Sequence, residues 1–287
     1  MQKDMDKDFS QYKIKEWDDK NSVRNMARRK GTVAPSKAEL NFYKKHCAAI
    51  ARRVKSPRML VLGPTPEIRD IGLRLGFKVT AVDMNKRILD LMKPFLRVKD
   101  RSGETVMLDN WLAVPLLKNN FDVVIGDVSF NNLAAKDIPF MFKRVHGWMK
   151  SGGFFILRNI VLPDRRADFG DFNRSIELWR RRRIKTREFY FRWRFLHSYP
   201  GCFNKKLKIF EAAREFKWLD EMHWEGVFNK KEYGELNKAR NVILHIVLPL
   251  KQFLKLFNKY FATVEISAEV PEKFGFYPVK LFCGIKN

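Results

Sequence analysis

"MLVLGPTPEIRDIGLRLGFKVTAVDMN", residues 59–85, decides the fold. An apolar run stops at Gly63-Pro64-Thr65-Pro66-Glu67, a helix-like pattern follows, and a second apolar run ends on Asp83. A short apolar run bounded by turn residues reads as a buried strand, and a proline suits the first turn of the helix that follows. Strand, helix and strand in one such stretch make a crossover, so the two strands run parallel.

The same alternation continues outward. "ETVMLD" (104–109), "FDVVIGDVSF" (121–130) and "GFFILRN" (153–159) read as further strands. "NKRILDLMKPFL" (85–96) and "IPFMFKRVHGWMK" (138–150) read as helices, the second ended by Ser-Gly-Gly. Upstream, "SKAELNFYKKHCAAIARRV" (36–54) opens on Ser36 and Glu39, the spacing of a capping box, with Leu40, Tyr43, Cys47 and Ile50 recurring at helical intervals. Downstream, "PLKQFLKLFNKYF" (249–261) is a helix leading into "TVEISAEV" and "PVKLFCGIK", two strands placed to pair antiparallel. The pattern predicts an α/β fold with a mostly parallel sheet of about seven strands and helices on both faces. It divides the chain into an N-terminal arm and helix (1–55), a core (56–160 and 249–287) and an α-rich insert (160–248).

The 287 residues are 45% hydrophobic and 14% aromatic, which suffices for a full core. Cys47, Cys202 and Cys283 are odd in number and widely spaced, which fits neither a disulfide framework nor a metal site. No apolar stretch reaches the ~18–20 residues that span a bilayer. The first twenty residues lack the apolar centre of a secretion signal, so the expected location is the cytoplasm. His46, His146, His197, His223 and His245 form no ligand pattern, and no metal is expected. The net charge of +25 is spread evenly, +13 up to residue 150 and +12 beyond, and would attract polyanions without sequence preference.

In an open parallel sheet, ligands sit beyond the carboxyl ends of the strands, where the strand order switches. The turn from Gly63 to Glu67 would pass under such a ligand. Asp83, closing the second strand, suits a ribose diol, because a carboxylate accepts two hydroxyl hydrogen bonds. Asp109, closing the third, could accept from an exocyclic amine. Asp127, after the fourth, faces the centre of the crevice with Ser129 beside it. Trp111 either packs on the sheet or stacks on a base, and Arg158 and Asn159 end the fifth strand.

Four stretches, "LVLGPTPEIR", "TAVDMN", "LDNWLAVPLLKNNFDVVIGDVSFNNL" and "MKSGGFFILRN", resemble the class I S-adenosylmethionine-dependent methyltransferases, in particular a bacterial set whose first loop reads Gly-x-Thr-Pro-Glu. The resemblance covers 58–160 well, and 175–195 and 240–285 more weakly. It implies a Rossmann-like fold, S-adenosylmethionine as cofactor and S-adenosylhomocysteine as product. The implied cofactor-binding residues are Gly63, Pro64, Thr65, Glu67, Asp83, Met84, Asp109, Asn110, Trp111, Asp127, Val128 and Ser129. Gly63 stands where the superfamily commonly has an acid, and Pro64-Thr65-Pro66 replaces its glycines; this leaves Glu67, Asp127 or a carbonyl for the methionine amino group. The absence of Gly-x-Gly-x-x-Gly argues against a nicotinamide cofactor.

The resemblance also implies that the insert covers the acceptor pocket. Arg158, Asn159, Trp179, Tyr190 and Trp193 are then the acceptor-side residues, and Asp127, Tyr190 or His197 could serve as a base if one is required. The expected reaction is methyl transfer to an N, O or S nucleophile of a small-molecule acceptor. The rival stretch is "WRRRRIKTREFYFRWRF" (179–195), whose eight cations and six aromatics could bind RNA by phosphate contact and base stacking. An amphipathic helix pair with buried aromatics and solvated arginines, capping the active site, is the preferred reading. The alternatives are therefore an RNA- or ribosome-directed methyltransferase and a non-catalytic cofactor-binding module.

Overall fold

The computed structural model describes residues 9–18, 23, 34–162, 169–197, 201–239, 245–267 and 279–287. Most of the polar arm read over 1–35, and the end of the "TVEISAEV" strand, lie outside the described residues. The chain divides into two compact units: Met1–Asn159 with Gln252–Ala268 and Lys280–Asn287, and Ile160–Lys251 with Glu269–Val279.

In the first unit, α1 (Phe9–Asp18) and α2 (Lys37–Ala51) precede β1 (Arg58–Leu62), α3 (Pro66–Arg74), β2 (Lys78–Asp83), α4 (Lys86–Met92), β3 (Glu104–Leu108), β4 (Phe121–Asp127), α5 (Ile138–Trp148) and β5 (Met149–Leu162). The capping box of α2 is present: Ser36 N–H donates to Glu39 Oε2 at 2.5 Å, and Glu39 N–H to Ser36 Oγ at 3.3 Å. α4 is shorter than the pattern predicted. It passes at Lys93 into a 3₁₀ turn over Pro94, whose ring cannot continue an α-helix. β5 is longer at both ends. Phe121 pairs with Met149 but Val123 with Phe154, so the Ser-Gly-Gly read as a helix stop is a bulge, with Gly152 at φ +72°.

β1 pairs in parallel with β2 and β4, β2 with β3, and β4 with β5. The strand order is β3-β2-β1-β4-β5-β10-β9, where β9 (Ala262–Ile266) and β10 (Val279–Ile285) follow helix α10 (Leu250–Asn258) and pair antiparallel. Lys286 accepts from Gly152 N–H and donates to Gly153 O, which places the end of β10 beside the start of β5 and runs them in opposite directions. Alternate residues feed opposite faces of the sheet. Val61, Ala81, Val123, Ile125, Phe154 and Ile156 pack with Tyr43, Cys47 and Ile50 of α2 and Ile68 of α3. Phe155 turns the other way, onto Phe142 of α5 and Phe257 of α10.

The second unit holds α6 (Phe169–Arg180), α7 (Thr186–Arg192) with a π turn to His197, a two-residue hairpin of β6 (Phe203–Asn204) and β7 (Ile209–Phe210), α8 (Ala212–Trp224), α9 (Lys230–Ala239) and β8 (Leu248–Pro249). β8 pairs with the tail of β5 at Val161 and Leu162. Phe172, Trp179, Phe189, Tyr190, Trp193, Leu219 and Phe228 form its interior, with Trp179 stacked on Phe189 at 4.8 Å. No helix among the described residues is long and apolar enough to cross a membrane.

Candidate functional site

The carboxyl ends of β1 to β4 bring the sequence-predicted acids to one edge of the first unit. Gly63 leaves β1 at φ +121°, a conformation that only glycine adopts without strain, and a Cβ built there would meet nothing within 4 Å. Its N–H donates to Val82 O at 2.9 Å. Thr65 precedes α3 and donates through Oγ1 to Asp127 Oδ2 at 2.8 Å. Glu67 lies half-buried in the first turn of α3.

Asp83 is buried, and burial pushes its carboxyl up to about 7, against the opposing effect of backbone N–H donors from Asn85 and Met84. The Asn85 N–H reaches Asp83 Oδ1 at 2.8 Å. Asn85 also caps α4, and its amide donates to Asp18 Oδ1 at 3.1 Å, while Arg87 donates to Asp18 O at 3.0 Å. The end of α1 is thus fastened to the turn after β2. A cavity of about 570 Å³ lies there, lined by Ile14, Asp18, Met84, Asn85 and Arg87; of the predicted site residues only Met84 borders it.

Asp109 Oδ1 accepts from Asn110 N–H at 2.7 Å, and Asn110 Oδ1 from Leu112 N–H at 2.9 Å. The Trp111 indole N–H donates to Val82 O at 2.6 Å, which ties its half-buried ring to the end of β2. Arg144 of α5 grips this loop from behind. Its guanidinium donates to Trp111 O at 3.2 Å and to Val114 O, and it lies 4.8 Å from the centre of the Trp148 ring. Sequence reasoning passed over Arg144 because a single arginine on an amphipathic helix carries no signal.

β4 ends abruptly. Val128 is held at φ +57°, a costly conformation for a β-branched side chain, by its N–H donating to Arg158 O at 2.8 Å and by Asn132 donating to its carbonyl at 3.0 Å. The turn folds Ser129 back over Gly126, where a Cβ would stand 2.3 Å from Ser129 Oγ. That hydroxyl is buried without a hydrogen-bond partner among the described residues.

Arg158 is taken up inside the fold. Its Nη1 donates to Asp127 Oδ1 at 2.6 Å and its Nε to Glu39 Oε1 at 2.8 Å. Asn159 is buried beside it in sequence. Glu39 and Tyr43 of α2 are the residues that sequence reasoning missed, because one reads as a cap and the other as core. Burial, with Asp127 nearby, drives the Tyr43 phenol well above its usual range, and its hydroxyl has no hydrogen-bond partner among the described residues.

The remaining candidates lie in the second unit. Trp179, Tyr190 and Trp193 are at most 2% exposed and belong to that unit's own core. His197 is half-buried, with Nε2 3.3 Å from Ser175 Oγ and its ring against Phe172. All six aromatics of the 179–195 stretch are buried and Arg180 to Arg183 are exposed, as an amphipathic pair requires, but Arg192 and Arg194 are buried with the aromatics.

No family model and no curated protein sequence matches the chain. Similarity is found in solved structures. A Rhodobacter sphaeroides protein assigned provisionally to the Zn-dependent alcohol dehydrogenases aligns over 96% of this chain and 98% of its own, at 16% identity and a TM-score of 0.57. The PH0226 protein of Pyrococcus horikoshii aligns over 94% and 100%, at 14% identity and 0.51. Phosphoethanolamine N-methyltransferase 2 of Haemonchus contortus, solved with phosphomonomethylethanolamine and S-adenosylhomocysteine, aligns over 97% of this chain and 60% of its own, at 12% identity and 0.50.

At these identities the likenesses speak to the fold alone. The order β3-β2-β1-β4-β5-β10-β9, with β10 reversed beside β5, departs from the all-parallel 3-2-1-4-5-6 order of dinucleotide-binding domains. The chain has a Rossmann-like α/β fold with a reversed strand beside β5, a fold it shares with solved structures that include an N-methyltransferase.

Proposed function

We propose that this protein is an S-adenosylmethionine-dependent methyltransferase acting on a small-molecule acceptor. The observation that carries the reading is the placement of Asp83, Asp109 and Asp127 at successive strand ends around the point where the strand order switches. The site residues fit the cofactor: the face of Gly63 is open, and the Ser129 hydroxyl is buried without a hydrogen-bond partner among the described residues.

S-Adenosylmethionine, when bound, supplies a methyl group on a good sulfonium leaving group, open to in-line attack by an N, O or S nucleophile. The chain's own work is then alignment and exclusion of water. Asp83 would accept from the ribose hydroxyls, and Asp109 from the exocyclic amine, with Met84, Asn110 and Trp111 completing that end. Gly63, Pro64, Thr65 and Glu67 would pass beneath, and Asp127, Val128 and Ser129 would border the amino-acid end. Both oxygens of Asp127 already hold donors, so its proposed part is binding rather than proton removal. The insert remains the proposed acceptor-selecting element, and the cytoplasm the proposed location. Burial of every aromatic in the basic stretch supports a small acceptor over RNA.

Calorimetry with S-adenosylhomocysteine tests the reading. Saturable binding is expected, and Asp83→Ala should weaken it by about 1.5–3 kcal/mol through loss of charge-assisted hydrogen bonds. Wild-type protein that binds no S-adenosyl compound would refute the proposal.

A further inference from the structure

The first turn of α2 brings charge to a place where the fold alone asks for none. Arg158, 2% exposed, lies between Asp127 and Glu39, at 2.6 and 2.8 Å. The carboxylate side chains are 5% and 8% exposed. Among the described residues two carboxylates face one guanidinium, so this cluster carries one formal negative charge in excess. Neutral donors soften that excess without cancelling it: Thr65 Oγ1 on Asp127, and Ser36 N–H on Glu39. Arg69, which reaches Pro64 O at 3.4 Å, is already matched by Glu104 at 2.7 Å. A buried excess charge is costly unless a counter-ion meets it. Two hydroxyls, that of Tyr43 on α2, within electrostatic reach of Asp127, Arg158 and Glu39, and that of Ser129 in the turn after β4, are buried with no hydrogen-bond partner among the described residues.

The complement of this cluster is a ligand group with one positive charge and hydrogen-bonding atoms. A sulfonium has the charge but no proton to donate, whereas an α-ammonium has both. Resting on the cofactor reading above, we infer that Glu39 and Arg158 are positioning residues that set Asp127 for the α-ammonium of the cofactor's amino-acid end. Glu39 acts through Arg158. It shares the guanidinium with Asp127, keeps the cluster one charge short of neutral, and fixes the site to the capped end of α2. The arrangement supplies from a helix before β1 the negative charge that Gly63 leaves out of the first loop.

Glu39→Gln removes the excess charge while keeping an acceptor for Ser36 N–H, since glutamine also serves in a capping box. Calorimetry would compare two probes on wild type and variant: S-adenosylhomocysteine, and 5′-methylthioadenosine, which lacks the amino-acid end. The variant should bind S-adenosylhomocysteine roughly tenfold more weakly or worse, as for a lost charge-assisted contact. Its affinity for 5′-methylthioadenosine should stay within about twofold, and its ligand-free melting temperature close to wild type. Glu39→Asp, which keeps the charge, should recover part of the S-adenosylhomocysteine affinity. Equal weakening of both probes, or of neither, would overturn the inference while leaving the cofactor reading intact. If wild type binds neither probe, the cofactor reading fails, and this inference with it.

Discussion

Each unit buries an arginine to the same degree, and the two are matched differently. Arg158 in the first unit and Arg194 in the second are each 2% exposed. Arg158 meets two carboxylates, each with a second donor on its other oxygen. Arg194 meets Glu215, 3.1 Å from its Nε and wholly buried, with its carboxyl raised by desolvation. An ion pair whose carboxylate is itself wholly buried can be a device of the fold. The Arg158 cluster has two carboxylates to one guanidinium among the described residues, and it stands at the end of β4, where an open parallel sheet puts its ligands.

The largest effect expected from this difference is on stability. Arg158→Met leaves Asp127 and Glu39 together without a cation and should cost about 3–5 kcal/mol in urea unfolding. Arg194→Met should cost less, about 1–3 kcal/mol at neutral pH, because a buried carboxyl already pushed upward can take a proton and become neutral. The sign follows from proton counting. Folded Glu215 then binds a proton that the unfolded chain releases above its ordinary value, so the variant's stability falls as pH rises and recovers toward pH 5. Equal losses in both variants at every pH would erase the distinction.

Asp83 sharpens the same comparison from the ligand's side. Its folded carboxyl titrates at about 7, well above the ordinary aspartate range. Ribose hydroxyls donating to the ionised form would lower that value in the complex, so binding would release a proton. Affinity for S-adenosylhomocysteine should therefore rise with pH, by roughly tenfold between pH 6 and pH 8, and Asp83→Asn should remove the slope. A flat profile in the wild type would separate Asp83 from the ligand.

The parts of this site readable in advance were those whose signal is local. The apolar runs of β1, β2 and β4 each end on a turn or an acid within a few residues, and Ser36 and Glu39 announce the start of α2. The bulge in β5 was hidden because Ser-Gly-Gly has the composition of a stop, and only pairing with Phe121 and Val123 shows that the strand runs through it. The Glu39–Arg158 bond joins residues 119 positions apart and cannot be seen in either neighbourhood. Trp179, Tyr190 and Trp193 show the converse. Their aromatic character suggested a pocket wall, but they fill the core of the second unit, Trp179 from α6, Tyr190 from α7 and Trp193 from the π turn after it.

A smaller effect is expected at the β3–α5 edge. Arg144 holds the loop after Asp109 by two carbonyl contacts, so Arg144→Met should loosen Asp109 and Trp111 together. Calorimetry should show about 1 kcal/mol of lost S-adenosylhomocysteine affinity, the scale of one ordinary hydrogen bond. An unchanged affinity would mean that the loop keeps its shape without the grip, and that β3 contributes little to the site.

The smallest effect belongs to the exposed arginines of the second unit. Arg181 and Arg183 are solvated, while the aromatics interleaved with them in sequence are inside. Without stacking, any contact with RNA rests on phosphates alone, and such binding collapses with salt because its driving force is release of condensed counter-ions. Filter binding to a single-stranded RNA should weaken by ~100-fold or more between 50 and 200 mM salt, with no preference among sequences. Replacing Arg181 and Arg183 together by Ala should change binding only a few-fold at the lower salt, because the +25 net charge is spread over the whole chain. The same variant should leave S-adenosylhomocysteine affinity where it was. Sequence-selective RNA binding that survives physiological salt and is lost in this variant would make the basic stretch a recognition surface and turn the acceptor from a small molecule into RNA.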